Sequence, residues 1–142
     1  MRGDIQKIIS ENKVCVMATV WDGAPHCSLM SYATDNECRE IYMATLKDTK
    51  KYRNLIVNPA VSLLIDTRDY DLRGKTRALT VTGVFQAIGN EKKITEIREA
   101  LLRKHPDLKD FFNNPDARIV VIKATSLQLL DSVTDSYFEQ LT

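Results

Sequence analysis

Residues 41–66 read IYMATLKDTKKYRNLIVNPAVSLLID and place a polar segment between two apolar runs. The first run is rich in β-forming side chains and predicts a strand that ends at Thr45. Residues 46–56 lack the alternation of a strand and suit a helix with Asp48 as its N-cap. An Asn-Pro pair then ends the helix, and residues 61–66 read as a buried strand. The stretch therefore predicts a strand, a helix and a second strand in succession.

The rest of the chain adds more strands than helices. Strands are predicted over residues 14–20, 26–33, 40–45, 77–88 and 117–130, helices over residues 5–10, 91–104 and 106–112, and a polar loop over residues 67–76. Asp22-Gly23 marks a hairpin turn, and Gly83 marks a bulge or bend in a long strand. Strands at short spacing with helices inserted between them favour an antiparallel barrel over a doubly wound parallel sheet. We predict one mainly β (α+β) domain over residues 1–142.

The charges of the chain nearly cancel. Twenty Lys and Arg residues against nineteen Asp and Glu residues leave a formal charge of +1. Such a chain exerts no long-range attraction on nucleic acid or an anionic membrane. Its N-terminus lacks the apolar run of a signal peptide, and no later stretch approaches the roughly 20 apolar residues of a spanning helix. We therefore expect a cytoplasmic protein that binds neither nucleic acid nor membranes.

Cysteine and histidine are sparse. The cysteines are Cys15, Cys27 and Cys38, and the histidines are His26 and His105. They show neither CxxC nor HExxH spacing, so the sequence predicts no zinc or non-haem iron site. Alternation along the second strand turns Cys27 away from Ser28 and Met30, and we expect its thiol to be buried and inert.

Hydroxyl and basic side chains crowd the start of the helix predicted after Thr45. They are Thr45, Lys47, Thr49, Lys50, Lys51 and Arg53. A phosphate group favours such a place, because the first N–H groups of a helix and nearby cations both attract it. A solvated basic helix face has the same composition, so charge alone leaves both interpretations open.

Five short motifs occur in a characteristic order. They are ATV at residues 18–20, DGAP at 22–25, IYMAT at 41–45, TKKYRNL at 49–55 and NPAVSL at 58–63. In this order and spacing the chain resembles the FMN-binding family typified by pyridoxamine 5′-phosphate oxidase. The resemblance implies a six-stranded antiparallel split β-barrel with flanking helices.

The resemblance also implies where FMN binds. Its phosphate falls on Thr45, Thr49, Lys50 and Lys51, and its ring lies along Ser28, Leu29, Met30 and Ser31. Arg77 begins the strand beside the cofactor in the resembling fold, although it reads equally well as a solvated edge-strand arginine. The family oxidase carries an arginine and a lysine where this chain has Ser28 and Ala33. We therefore expect an activity other than pyridoxamine phosphate oxidation.

In the resembling proteins two copies hold FMN between them, so we expect a homodimer, to which the apolar C-terminal tail contributes contacts. The favoured function is an FMN-dependent oxidoreductase acting on a small-molecule substrate or electron acceptor. A non-catalytic FMN carrier or electron-transfer module remains an alternative, as does a split barrel that binds haem or a deazaflavin. Trp21 reads either as a ring that packs on the flavin or as an ordinary hairpin aromatic. No residue is singled out as a catalytic acid or base.

Overall fold

The computed structural model describes residues 1–68 and 75–142. The helices are α1 (Gly3–Glu11), α2 (Lys50–Val57) and α3 (Glu91–Lys104), and two 3₁₀ turns span Pro106–Leu108 and Phe111–Asn113. The strands are β1 (Val14–Trp21), β2 (Ala24–Ser31), β3 (Ala33–Thr34), β4 (Glu40–Leu46), β5 (Ala60–Asp66), β6 (Ala78–Gln86), β7 (Ala117–Leu130) and β8 (Ser136–Gln140). The loop predicted over residues 67–76 falls largely outside the described residues.

The described strands form one antiparallel sheet that curls into a half-barrel. Their order is β2-β1-β5-β6-β7-β4-β3, and β8 pairs with β7. The strands at the two ends of this order, β2 and β3, are consecutive in the chain and separated by Tyr32 alone. The two edges of the curled sheet are therefore linked through Tyr32. This arrangement confirms the predicted split β-barrel with flanking helices. Its eight strands exceed the predicted six because β3 and β8 were not predicted.

Alternation along the strands builds the core. On β1, Cys15, Met17 and Thr19 are buried, while the residues between them are exposed or half-buried. The apolar side of α1 adds Ile5, Ile8 and Ile9 to this core. Burying a side chain of this size contributes about 1.5–3 kcal/mol, so the helix is held by its isoleucine stripe. These contacts fix the inner face of the barrel.

Helix α3 covers only one part of the outer sheet surface. Its buried residues Ile97 and Leu101 pack with Ala33, Tyr42 and Val121 from β3, β4 and β7. The outer face of β2, β1 and β5 has no described helix across it, which leaves its apolar side chains exposed. This asymmetry separates a covered side of the barrel from an open side.

Several local expectations are corrected and one is confirmed. The N-cap of α2 is Thr49, whose side chain accepts a hydrogen bond from the Tyr52 amide, and not Asp48. Cys27 is exposed, because the outer face of β2 is uncovered. The C-terminal tail forms β8 on β7 of its own chain, an element that was not predicted, and its expected contacts with a second subunit stay a prediction. The predicted bulge is present, since the pairing register of β6 shifts between Thr82 and Gly83. No helix among the described residues has the length and apolarity needed to cross a membrane.

Candidate functional site

A pocket of about 260 Å³ opens where β2 passes the end of β4 and the start of α2. Its lining comprises Leu29, Met30 and Ser31 from β2, Ala44, Thr45 and Leu46 from β4, Thr49 and Lys51 at α2, and Leu108 and Phe111 from the 3₁₀ turns. We call this cavity the β2–β4 pocket. Its lining combines apolar side chains with three hydroxyl-bearing residues and one lysine.

Two threonines form the polar side of the β2–β4 pocket. Their hydroxyl oxygens, Thr45 Oγ1 and Thr49 Oγ1, lie 3.1 Å apart. The Thr49 hydroxyl donates to the Leu46 carbonyl at 2.9 Å and accepts from the Tyr52 amide at 3.3 Å. Because its single proton is used, Thr49 must accept from Thr45. The hydroxyl proton of Thr45 can therefore be redirected from Thr49 to a ligand. The Thr49 hydroxyl instead caps the N-terminus of α2.

The first turn of α2 presents unused donors. The backbone N–H groups of Lys50 and Lys51 donate to no described residue. Lys51 lines the β2–β4 pocket, and within residues 1–68 and 75–142 its ammonium forms no ion pair. Unpaired amides and a cation at a helix N-terminus together form a favourable place for an anion. The helix therefore offers donors at the polar side of the pocket.

Six of the nine residues predicted for the cofactor site come together. Leu29, Met30, Ser31, Thr45, Thr49 and Lys51 all line the β2–β4 pocket. Their assembly depends on the closure of the barrel, which brings the end of β2 next to β4. Segments that are distant in sequence thus meet in one cavity.

The other three predicted residues lie elsewhere. Ser28 points to the inner side of β2, in step with the buried Met30. Lys50 lines a different cavity with Trp21 and Arg53. Arg77 immediately precedes β6 and lies beside α1, where its Nη1 atom is 3.7 Å from a carboxylate oxygen of Asp4. These three side chains are therefore outside the lining of the β2–β4 pocket.

Four lining residues were not predicted from the sequence. Ala44 and Leu46 flank Thr45 on β4 and are found by extending that strand. Leu108 and Phe111 come from the 3₁₀ turns that follow α3. No motif indicates the last two, because only the packing of α3 brings those turns to the pocket.

The described lining supplies little acid–base chemistry of its own. Lys51 is its one titratable side chain, and it contains no histidine, carboxylate, cysteine or tyrosine. Tyr42 donates to Glu40 Oε1 at 2.8 Å on the side covered by α3, and burial together with this carboxylate raises the pKa of its phenol. Burial raises the pKa of the Cys15 thiol to about 12. The described lining of the β2–β4 pocket therefore consists of apolar and hydroxyl-bearing side chains and one lysine.

An apolar surface adjoins this pocket on the uncovered side of the barrel. Val16 on β1 pairs with Leu29 on one side and with Leu64 on the other. Two residues further along β1, Ala18 faces the same side of the sheet as Val16 and pairs with Cys27 and Ser62. We call these two rows the open face. Leu29 is 72% exposed and belongs both to the open face and to the β2–β4 pocket, so the two are continuous.

No described group of three or more His, Cys, Asp or Glu side chains is arranged to hold a metal ion.

Known proteins share this fold. The heme binding protein from Mycobacterium smegmatis has a TM-score of 0.84 at 15% identity; the match covers 99% of this chain and 59% of that protein, so this chain spans less than two thirds of its length. A FAD-binding protein from Mesorhizobium loti has a TM-score of 0.74 at 18% identity over 91% of this chain and 94% of that one. General Stress Protein 26 from Bacillus anthracis has a TM-score of 0.65 at 22% identity over 96% and 95%. At these identities the likeness shows the fold alone.

The sequence itself identifies the family. No curated protein matches the chain. The family described as pyridoxamine 5′-phosphate oxidase, in contrast, matches residues 1–131, which is most of the chain. The resemblance carried by the five motifs is thereby confirmed. The chain belongs to the pyridoxamine 5′-phosphate oxidase family.

Proposed function

We propose that this protein binds FMN in the β2–β4 pocket and uses the flavin for a redox reaction on a small molecule. The observation that carries the proposal is the joining of a cationic, hydroxyl-bearing helix start to an apolar wall in one cavity. A flavin mononucleotide has the matching halves, a terminal phosphate and a planar ring. Family membership supports the same assignment.

The phosphate is assigned to the polar side of the pocket. Lys51 supplies an unpaired ammonium, and the free N–H groups of Lys50 and Lys51 add backbone donors. Thr45 contributes its hydroxyl by releasing Thr49, which keeps its bonds to Leu46 and Tyr52. These donors suit a dianionic phosphate, because charge-assisted hydrogen bonds are about twice as strong as neutral ones. The side chain of Lys50 lines the cavity with Trp21 and Arg53, so only its backbone N–H is assigned to the phosphate.

The ring is assigned to the β2 wall. Because β2 lies at one end of the sheet order, half of its backbone groups are not used by β1. Such groups can bond the polar edge of a planar ring without any particular side chain. Leu29 and Phe111 provide apolar contact beside them. This explains how Leu29, Met30 and Ser31 can serve as a flavin wall although two of their side chains are apolar.

Bound flavin supplies the redox chemistry. The role of this chain is to hold the phosphate, align the ring and limit access to it. The described lining holds no histidine, carboxylate, cysteine or tyrosine that could transfer a proton. The proton of the reaction then passes through solvent or the substrate. The same feature favours the second candidate, a flavin carrier that turns over no substrate.

A homodimer is part of the proposal. The open face exposes Leu29 and Leu64 at 72% and 40%, and uncovered apolar rows of this kind are typical of surfaces between subunits. The β2–β4 pocket adjoins the open face through Leu29, so a second copy packed there would also wall the open side of the pocket. Two copies related by a twofold axis would then enclose two equivalent sites.

The test begins with the absorbance spectrum of the freshly purified protein. Flavin bands, together with release of a compound of the mass of FMN on denaturation, support the assignment. Release of FAD would instead identify FAD as the bound cofactor. A Soret band would replace flavin with haem, the ligand named for the Mycobacterium smegmatis neighbour. Of the two histidines, His105 already contacts the Tyr32 carbonyl through Nε2 at 2.8 Å, so His26 is the side chain to test as a haem ligand.

Two further measurements separate the remaining alternatives. Bleaching by NADH or NADPH, followed by return of colour with a quinone or nitro compound, distinguishes an oxidoreductase from a carrier. Sedimentation of the flavin-loaded protein at micromolar concentration tests the dimer. A monomer that retains FMN tightly would refute a site shared between two subunits.

A further inference from the structure

A second pocket, of about 310 Å³, lies on the other side of α2. It is lined by Trp21 at the end of β1 and by Lys50, Arg53 and Asn54 of α2. The three helical residues follow an i, i+3, i+4 spacing and share one stripe of the helix. Lys51, about 100° around the helix from Lys50, lines the β2–β4 pocket instead. We call the second cavity the Trp21 pocket.

The floor of the Trp21 pocket is fixed. Asn54 is only 3% exposed, and its Nδ2 group donates to Thr19 Oγ1 of β1 at 3.1 Å. This buried hydrogen bond joins the helix to the barrel strand that ends at Trp21. The indole and the helical cations are therefore held on a common, rigid base.

The charge of the Trp21 pocket is uncompensated. Lys50 and Arg53 are both exposed, and neither forms an ion pair with any residue in the described parts of the chain. Like charges at i and i+3 on a helix repel each other. An anion placed between them relieves that repulsion, and the planar fork of an arginine matches a carboxylate in two hydrogen bonds.

The indole adds a flat apolar surface. Trp21 is 51% exposed although it is the largest aromatic side chain in the protein. An exposed indole offers an area on which a planar ring stacks. Trp21, Arg53 and Lys50 thus line one cavity, whose volume lies near the lower end of small-molecule sites, about 300 Å³.

We propose that the Trp21 pocket binds a small planar aromatic anion, such as an aromatic carboxylate, with its ring on Trp21 and its charge between Lys50 and Arg53. The site is separate from the β2–β4 pocket and does not depend on the flavin assignment. A single indole beside two cations fits one small anion. A nucleic-acid strand would require a longer track of stacking rings and charges.

The chain offers a direct readout of this site. Trp21 is its sole tryptophan, so intrinsic tryptophan fluorescence reports from the Trp21 pocket alone. The probe is 4-nitrobenzoate, whose nitro group quenches indole emission, and the neutral comparison is 4-nitrobenzamide. We expect saturable quenching by the carboxylate, with binding about tenfold weaker for the amide. A difference of this size corresponds to the loss of one charge-assisted contact.

Two variants test whether the charge of Arg53 binds the carboxylate of the probe. Arg53→Gln keeps a polar side chain of similar length and should weaken 4-nitrobenzoate binding about tenfold while leaving the amide unchanged. Lys47→Ala is the matched control, because Lys47 lies outside both pockets and its Nζ atom pairs with Asp116 at 3.3 Å. Its binding of both probes should equal that of the unmodified protein. Circular dichroism of each variant excludes unfolding as the cause.

Three outcomes would overturn the proposal. They are quenching that does not saturate, equal affinity for carboxylate and amide, and an Arg53→Gln variant that binds like the unmodified chain. Addition of FMN provides a further check, since it should leave the affinity for 4-nitrobenzoate unchanged. Competition between FMN and 4-nitrobenzoate would show that they share one site and would refute a separate site. If the protein fails to bind FMN, the fluorescence result still stands alone.

Discussion

Replacing Lys51 with alanine tests the phosphate assignment most directly. Lys51 lines the β2–β4 pocket and is half-buried, and its ammonium forms no ion pair among the described residues, so a bound phosphate would be its partner. A hydrogen bond to a charged group contributes about 1.5–3 kcal/mol. Partial exposure favours the lower end, about 1.5 kcal/mol, which is about a tenfold loss of FMN affinity.

The informative quantity is the ratio of affinities for FMN and riboflavin. Riboflavin carries the same ring without the phosphate, so Lys51→Ala should leave its binding unchanged. Titration of each compound, followed by quenching of flavin emission, gives both dissociation constants. Lys47→Ala is the control of equal charge, since that lysine is exposed and paired with Asp116. Lys50→Ala should have a smaller effect, because its side chain lines the Trp21 pocket.

Two results would refute the reasoning. If Lys51→Ala weakens FMN and riboflavin equally, the substitution has disturbed the ring wall or the fold, and the phosphate lies elsewhere. If it weakens neither, the basic helix start is a solvated surface. Raised salt concentration should reduce the difference between the two ligands in the unmodified protein but not in the variant.

Three further predictions concern the dimer and the fold. Leu29→Asp on the open face should convert the dimer to a folded monomer, as measured by sedimentation. Val133→Asp, at an apolar residue exposed in a loop, should leave the dimer intact. If the Leu29→Asp variant remains a dimer, the open face is not the subunit interface. Burial, the largest single effect, raises the pKa of Glu40, but the hydrogen bonds from Lys93 and Tyr42 and the charges of Lys93 and Lys123 together outweigh it, so the pKa is lowered. The stabilisation from Glu40 is therefore present above about pH 4.3 and is lost as the pH falls through the lowered pKa. Glu40→Gln should therefore flatten the acid decline of Tm, and parallel profiles would contradict the assignment. Gly83→Ala would bring a Cβ within 2.6 Å of a β7 side chain and should lower the free energy of unfolding by about 1–3 kcal/mol in a urea titration, where an unchanged midpoint would argue against this contact.

The sequence predicts those elements whose own residues carry the signal. The long helix α3 and the strand β7 have the predicted bounds, because apolar residues recur along them with a clear period. The N-cap of α2 was misplaced by one residue. Asp48 and Thr49 are both good caps, and only the hydrogen bond from the Tyr52 amide decides between them.

What the sequence does not predict depends on contacts between distant segments. Strand β8 is short and largely exposed, so its pattern is weak until it lies beside β7. Alternation correctly turned Cys27 away from Ser28 and Met30, but the thiol that was expected to be buried is exposed, because no described helix crosses the outer face of β2. In both cases the neighbouring element determines burial.

The same distinction applies to the candidate site. Thr45, Thr49 and Lys51 lie within one short segment, so a local motif is enough to group them. Phe111 joins them only because α3 packs on the sheet and directs the following turns toward β4. Arg77 was a candidate because it begins a long strand, but the structure places its guanidinium beside Asp4 of α1. Sequence order cannot show which end of a curled sheet a residue will reach.

Helix α2 departs from the usual charge pattern of helices, and this links the two proposals. Cations are unfavourable near a helix N-terminus, yet the first turn of α2 carries Lys50, Lys51 and Arg53 and no acidic residue. Local rules are most often broken where function requires it. The helix geometry sends Lys51 to one pocket and Lys50 with Arg53 to the other, so an anion on each side would offset the repulsion that the bare helix retains. One short helix can thus account for both the proposed phosphate site and the proposed aromatic-anion site.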